Sequence, residues 1–316
     1  MRAVTIRDGE ITVEEHPDPE PGAGEILVRV KAAGINGADM MQRRGAYPAP
    51  PGSPQDIPGL ELAGEVIGLG PGAQRFSEGD RVMAIVGGGG QAELATVHER
   101  QAMPVPDALN WAEAGGTPEV FTTAHDAIFT QSQLKMGERF LVHGAAGGVG
   151  TAAVQLGAAA GAHVVATVRR PEAREAVTTL GADEVIEPDG FEERGPFDVI
   201  LELVGAPNLA ANLKAVATQG RIVVIGIGAG AKGELNLRDL MTKRATLRAS
   251  TLRARPLEEK AHATRAVERH VLPLFAGGKL RVPIAETFPL ERAAEAYDRF
   301  AEGGKIGKIV VVMDGG

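Results

Sequence analysis

The sequence predicts an α/β protein in two parts, one β-rich and irregular, the other a doubly wound parallel sheet. Three observations lead there. At 316 residues the chain exceeds one ordinary domain, so each part can bury a core of its own. Residues 1 to about 105 read as short strands, such as Glu25 to Ala33 and Leu62 to Leu69, separated by the turn clusters PDPEPGAGE, GPGAQRFSEGD and GGGG. From about Pro118, apolar runs alternate with helical stretches, the rhythm of a parallel sheet flanked by helices.

Taken in order, MRAVTIRDGEITVEE alternates apolar and polar residues as a strand pair does, and lacks the basic-then-apolar plan of a signal peptide. The second part offers strands at Arg139 to Ala145, His163 to Val168, Glu184 to Ile186, Phe197 to Leu203, Arg221 to Ile225 and Thr246 to Leu252. Six strands in this arrangement suit a nucleotide-binding unit. After Pro256 come a long helical pattern, the strand-like VPIAETFPL, another helix and a last strand at Lys308 to Met313. This tail is too small for a third domain and is expected to return to the first part. The expected division is 1–119 with 257–316, and 120–256.

A formal charge of −8 argues against a nucleic-acid partner, which needs a basic face for phosphates. No apolar run reaches membrane-spanning length, because the longest, around Val154 to Val168, is broken by Gly157, Gly161 and His163. Cysteine is absent, which excludes disulfides and thiolate metal sites and fits a reducing cytoplasm.

The strongest chemical signal is the run Leu141 to Gly150, LVHGAAGGVG, followed by the helical TAAVQLGAAAGA. A buried strand ends in the small residues Gly144, Ala145, Ala146, Gly147, Gly148 and Val149, and a helix then begins. Small side chains let backbone amides approach a pyrophosphate, and the helix N-terminus adds unpaired N–H groups. Ala145 stands at the first glycine position of G-x-G-x-x-G, with Gly147 and Gly150 at the others; the strand before and the helix after give the motif its credibility. A glycine-rich turn without a ligand is the alternative. At the end of the second strand, where an NAD enzyme places an acidic residue, stand Arg169 and Arg170, which suit the 2′-phosphate of NADPH. Glu172 follows Pro171 and is expected in the first turn of the next helix.

These residues resemble the medium-chain dehydrogenase/reductase superfamily, in particular its quinone oxidoreductase branch and most closely the tumour-suppressor-inducible group. The resemblance runs through PGAGEILVRVKAAGINGADMMQRRGAY, GLELAGEVIGLGPG, GDRVMA, GGGGQAE, HGAAGGVGTAAVQL, LGADEVI, STLRAR and the terminal GKIVVVM. It implies a GroES-like first domain, a Rossmann cofactor domain, and an active site in the cleft between them. It also implies that Asn36 and Tyr47 border the acceptor, that Thr123 lies near the nicotinamide, and that Lys308 approaches the cofactor. Val204, Ile225 and Leu252, at carboxyl ends of expected strands, complete the expected cofactor contacts. The sequence departs from zinc-dependent relatives in carrying Asn36 where they place a cysteine and Gly59-Leu60-Glu61 in place of G-H-E, so no zinc is expected. Glu61 is left with a structural hydrogen bond as its expected role. The chain also departs from quinone oxidoreductases at Met41, where a family tyrosine is common, near Pro188, where some carry an NADP-contacting tyrosine, and around Glu172 and Ala173, where many carry a lysine.

The implied activity is zinc-independent hydride transfer from NADPH to a quinone or related conjugated carbonyl, in a cytoplasmic homodimer joined along the strand at Thr246 to Leu252. Two alternatives stay open: an NADPH-dependent enoyl or alkenal reductase, and a non-catalytic redox sensor or structural protein that binds NADPH.

Overall fold

The computed structural model describes residues 1–313; residues 314–316 of the expected C-terminal segment lie outside the described residues. The chain divides into two compact units, Met1–Thr122 with the chain from Leu252 onward, and Thr123–Thr251.

The first unit begins with β1 (Arg2–Arg7) and β2 (Glu10–Glu15), an antiparallel pair. Asp8 and Gly9 join them with φ of 51° and 84°, the left-handed turn whose twist matches a hairpin. There follow β3 (Glu25–Gly34), α1 (Gly37–Arg43), β4 (Glu61–Leu69), β5 (Arg81–Ile85), β6 (Leu94–His98), β7 (Ala102–Pro104), α2 (Trp111–Gly115) and α3 (Pro118–His125). The alternation of β3 buries Ile26, Val28 and Val30 on one face, and a bulge between Val30 and Ala32 brings Ala33 onto that same core. The turn clusters seen in the sequence separate these strands, as period-2 patterning broken by glycine and proline requires.

The chain passes into the second unit within α3. After a π-helical turn at Asp126–Gln131 it forms β8 (Arg139–Val142), α4 (Gly148–Ala159), β9 (His163–Thr167), α5 (Arg174–Thr179), β10 (Glu184–Ile186), β11 (Phe197–Glu202), α6 (Leu209–Ala215), β12 (Val216–Val224), α7 (Leu237–Lys243) and β13 (Thr246–Ala249). The sheet order is β10-β9-β8-β11-β12-β13 and every pairing is parallel. In the unit's own count this is 3-2-1-4-5-6, the doubly wound order whose direction reverses between its first and fourth strands. Phe140, Leu141 and Val142 of β8 and Val164, Val165 and Ala166 of β9 are fully buried, the continuous burial expected of strands covered on both faces.

The tail returns to the first unit as α8 (Leu257–His270), α9 (Leu272–Ala276), β14 (Ile284–Pro289), α10 (Ala293–Glu302) and β15 (Lys308–Val312). The sheet there reads β14-β15-β3-β4-β5-β7, with β6 also on β3. Val310 and Val311 of β15 lie opposite Gly34 and Ala33 of β3, so the last strand brings Lys308 beside the turn that opens α1. A core of Val4, Ile26, Val30, Leu62, Tyr297 and Ile309 draws on both ends of the chain.

The six expected strands are all present, but five end earlier than expected, three by a single residue and two by three residues. Ala145 belongs to the loop after β8, and β13 stops at Ala249 rather than Leu252. One runs longer: β12 starts at Val216 and passes through Gln219-Gly220, where Gln219 adopts φ of 64° and the pairing with β11 shifts register. Such a bulge lets a dipeptide that reads as a turn lie inside a strand.

Candidate functional site

In the second unit β8 ends at Val142, and Gly144 turns the chain with φ of 62°. The N-cap of α4 is Gly147, which supplies no side-chain cap. The first amide to bond back into the helix is that of Thr151, to Gly147 O at 2.8 Å; the amides of the opening turn have no acceptor within the helix. A Cβ built on Gly150 would lie 2.4 Å from Gly144 O and 2.7 Å from the Ala145 Cα, so only glycine permits this approach of helix to strand. Ala145 is fully buried beneath the helix start, whereas Ala146, Gly147, Gly148 and Val149 are partly exposed. A helix N-terminus with open amides and no intruding side chain fits the pyrophosphate of a dinucleotide.

Arg169 and Arg170 are exposed just beyond β9. Glu172 falls in the short 3-10 turn Pro171–Ala173 that precedes α5. Val204 and Ile225 are partly exposed beyond β11 and β12. Their backbone is fixed by one residue: Val204 N donates to Glu202 Oε1 at 2.6 Å, and Ile225 N to Glu202 O at 2.9 Å. The glycine loop, both arginines, Val204 and Ile225 therefore lie at the carboxyl edge of one sheet. Thr123 is on α3, partly exposed.

The first unit contains a buried polar cluster. Lys308 Nζ lies 2.7 Å from Glu61 Oε1, 2.6 Å from Asn36 Oδ1 and 2.9 Å from Ile35 O. Asn36 Nδ2 donates to the same Glu61 oxygen at 2.9 Å, and Glu119 N to Glu61 Oε2 at 2.8 Å. Asp39 accepts from Asn36 N at 2.8 Å and Gly59 N at 3.0 Å; burial pushes its carboxyl up to about 6 against the pull of those hydrogen bonds. Burial, followed by the like charge of Glu61, pushes Glu119 up to about 8. Tyr47 lies in the loop after α1; Arg253 donates to its carbonyl at 2.9 Å and places its guanidinium carbon 5.3 Å from its ring centre.

An ammonium has three donors, and the three contacts of Lys308 all lie within the cluster of Ile35, Asn36 and Glu61. Leu252 is buried in a small core with Ile85 and Ala263. Sequence reasoning also missed residues. Glu61 is fully buried and holds an ion pair besides the expected hydrogen bond. Local pattern singles out neither Glu119 nor Arg253, whereas His143 and Glu202, polar residues at the ends of the apolar strands β8 and β11, carry a visible signal.

A doubly wound sheet with a glycine cradle at its switch point, joined to a β-rich unit built from both ends of the chain, defines a nucleotide-dependent oxidoreductase. Comparison with known proteins agrees: residues 22–107 match the alcohol dehydrogenase GroES-like domain and residues 148–269 the zinc-binding dehydrogenase family. The chain is 31% identical to the quinone oxidoreductase of Mus musculus over 93% of its own length and 91% of the relative's. The human quinone oxidoreductase is also 31% identical, with the same coverage. Among solved structures, a quinone oxidoreductase of Pseudomonas syringae pv. tomato DC3000 superposes with a TM-score of 0.87 at 27% identity, covering 99% of both chains. An alcohol dehydrogenase superfamily protein of Novosphingobium aromaticivorans gives 0.89 at 29%, covering 99% of this chain and all of the other. The chain belongs to the medium-chain dehydrogenase/reductase superfamily and is an oxidoreductase.

The zinc in the matched family's description does not suit the donors here. There is no cysteine, the oxygens of Asn36 and Glu61 already hold an ammonium, and among the described residues no group of three His, Cys, Asp or Glu could bind a metal ion.

Glu119 binds its proton more tightly folded than unfolded. The stability this contributes is complete below about pH 4.5 and is lost as the pH rises through about 8. The Glu119→Gln variant cannot titrate, so its Tm should gain on the wild type between about pH 5 and about pH 9. Thermal denaturation at several pH values checks this; a Tm difference independent of pH would refute it.

Proposed function

We propose that this enzyme transfers hydride from NADPH to a quinone or a related conjugated carbonyl, without zinc, and works as a homodimer in the cytoplasm. The observation that carries the reading is the uncapped helix N-terminus of α4, with Arg169 and Arg170 exposed at the end of the neighbouring strand. The open amides bind the pyrophosphate, and the two guanidinium groups bind the 2′-phosphate that distinguishes NADPH from NADH. The bound nucleotide supplies the hydride. A quinone accepts it without a Lewis acid, so the protein's part is to hold the reactants and exclude water. Asn36 and Tyr47 border the acceptor; the Tyr47 hydroxyl supplies a proton to the reduced oxygen, and its ring stacks on the flat substrate. The relatives named quinone oxidoreductase support this acceptor class. A cysteine-free chain that uses a reduced nucleotide suits the cytoplasm, and no helix among the described residues is long and apolar enough to cross a membrane.

The dimer reading rests on the outer edge of β13, whose one strand partner among the described residues is β12, and on the nearby chain. Leu237 and Met241 of α7 are 63% and 75% exposed, unusual for large apolar side chains. A second copy pairing along β13 would cover an edge that natural proteins tend to protect.

Turnover of NADPH with 1,2-naphthoquinone, 9,10-phenanthrenequinone and a panel of enals tests the chemistry. We expect the quinones to be reduced and the activity to survive chelation; turnover of enals alone, or loss of activity together with bound zinc, would reverse the assignment. For the cofactor, the wild type should prefer NADPH by roughly a hundredfold or more. The Arg169→Ala, Arg170→Ala double variant should lose that preference through a higher KM for NADPH, with NADH little changed. Equal use of both nucleotides by the wild type would remove the arginines' role. Light scattering at micromolar concentration should show a dimer, and a monomer throughout would sink that part.

A further inference from the structure

Four buried polar side chains form a continuous hydrogen-bonded chain across the second unit, none more than 3% exposed: Thr167, His143, Asn212 and Glu202. Glu202 ends β11. Its Oε1 accepts from Val204 N at 2.6 Å, Gly205 N at 2.8 Å and Asn208 Nδ2 at 3.3 Å, and its Oε2 from Asn212 Nδ2 at 2.7 Å. Asn212, on α6, turns its Oδ1 to His143 Nε2 at 2.8 Å. His143 follows β8 and directly precedes Gly144; its Nδ1 is 3.1 Å from Thr167 Oγ1, at the end of β9.

The directions of these bonds follow from chemistry. A carboxylate can only accept, so Asn212 must present its amide N–H to Glu202 and its carbonyl to His143. His143 must then carry its proton on Nε2. Burial lowers its affinity for a second proton, so Nδ1 keeps a lone pair and accepts from the Thr167 hydroxyl. The Phe191 ring and the imidazole pack in a T-shaped arrangement, with ring centres 4.5 Å apart. One carboxylate thereby sets the polarity of a relay that reaches three adjacent strands, β11, β8 and β9. Gly144 of the glycine loop directly follows His143, while Val204 lies two residues beyond Glu202 and Arg169 two residues beyond Thr167.

We propose that Glu202 is a positioning residue for the nucleotide: through Asn212, His143 and Thr167 it locks together the three strand ends that hold the cofactor. The proposal rests on the nucleotide-binding reading above. Gly205, with φ of 126° and its amide held by Glu202, gives the β11 turn a shape that depends on this carboxylate. The relay makes no contact that distinguishes the two nucleotides, so its loss weakens NADPH and NADH alike.

The test is Glu202→Gln in the full chain, read by NADPH and NADH titration and by 15N shifts of the His143 ring, assigned by their loss in His143→Gln. The substituted carboxamide keeps an oxygen for the Val204 and Gly205 amides but places an NH2 group toward Asn212. Asn212 must then flip, and the His143 proton must move to Nδ1. We expect that tautomer change, with Kd rising about tenfold for both nucleotides; a residue with a purely structural role would lower Tm and leave both readouts unchanged. Should Glu202→Gln fail to fold, Thr167→Val removes the hydroxyl at the far end of the relay at nearly constant shape, and should also weaken both nucleotides equally. Unchanged Kd values, an unmoved tautomer in Glu202→Gln, or an effect on NADPH alone would overturn the relay. A wild type that binds neither nucleotide would instead overturn the functional reading.

Discussion

The carboxyl end of β8 can meet the first turn of α4 only because position 150 has no side chain; a Cβ there would fall 2.4 Å from Gly144 O. This close approach sets much of the second unit's geometry. It forces Gly144 into a left-handed turn, buries Ala145, and starts α4 with no cap of its own. Open amides at a helix start carry partial positive charge, so a phosphate is the natural partner. The parallel order of the sheet then does the rest, because its direction reverses beside β8 and leaves the strand ends free to receive a ligand.

A second constraint governs the first unit. Lys308 is buried with Glu61, and removing one member of such a pair commonly costs about 3 to 5 kcal/mol, because it strands the other charge in a poor solvent. The pair is completed by Asn36 and the carbonyl of Ile35. Its existence depends on β15 lying antiparallel to β3, which pins the end of the chain to a turn near its beginning. Asn36, at the position where zinc-dependent relatives carry a cysteine, here faces the ammonium of Lys308, which it shares with Glu61.

Much of the architecture was legible in the sequence because it rests on local patterns. The strand alternation of Glu25 to Ala33, the glycine run after Leu141 and the apolar core of β8 each span few residues and obey simple periodicities. Strand ends were less legible. β13 stops at Ala249 although apolar Leu252 follows, because Leu252 turns into a different core with Ile85 and Ala263. β12 continues past Gln219-Gly220, where its pairing with β11 breaks register between Val216 and Arg221, so the turn signal survives as an irregularity inside a strand. The neighbours of Lys308, Asn36 and Glu61, are distant in the sequence, so no local pattern reveals them.

By itself the sequence determined the two-part α/β plan, the strand-loop-helix cradle at Gly144 to Val149, the pair of arginines after β9 and the absence of thiolate ligands. These follow from residue type, spacing and backbone freedom, which act within a few positions. Only the tertiary structure decided that Lys308 neutralises Glu61 beside Asn36, and that Glu202, Asn212, His143 and Thr167 form one directed chain of hydrogen bonds. The physical reason is burial: a polar side chain removed from water must find its partner in three dimensions, and that partner is chosen by strand order and register rather than by proximity along the chain.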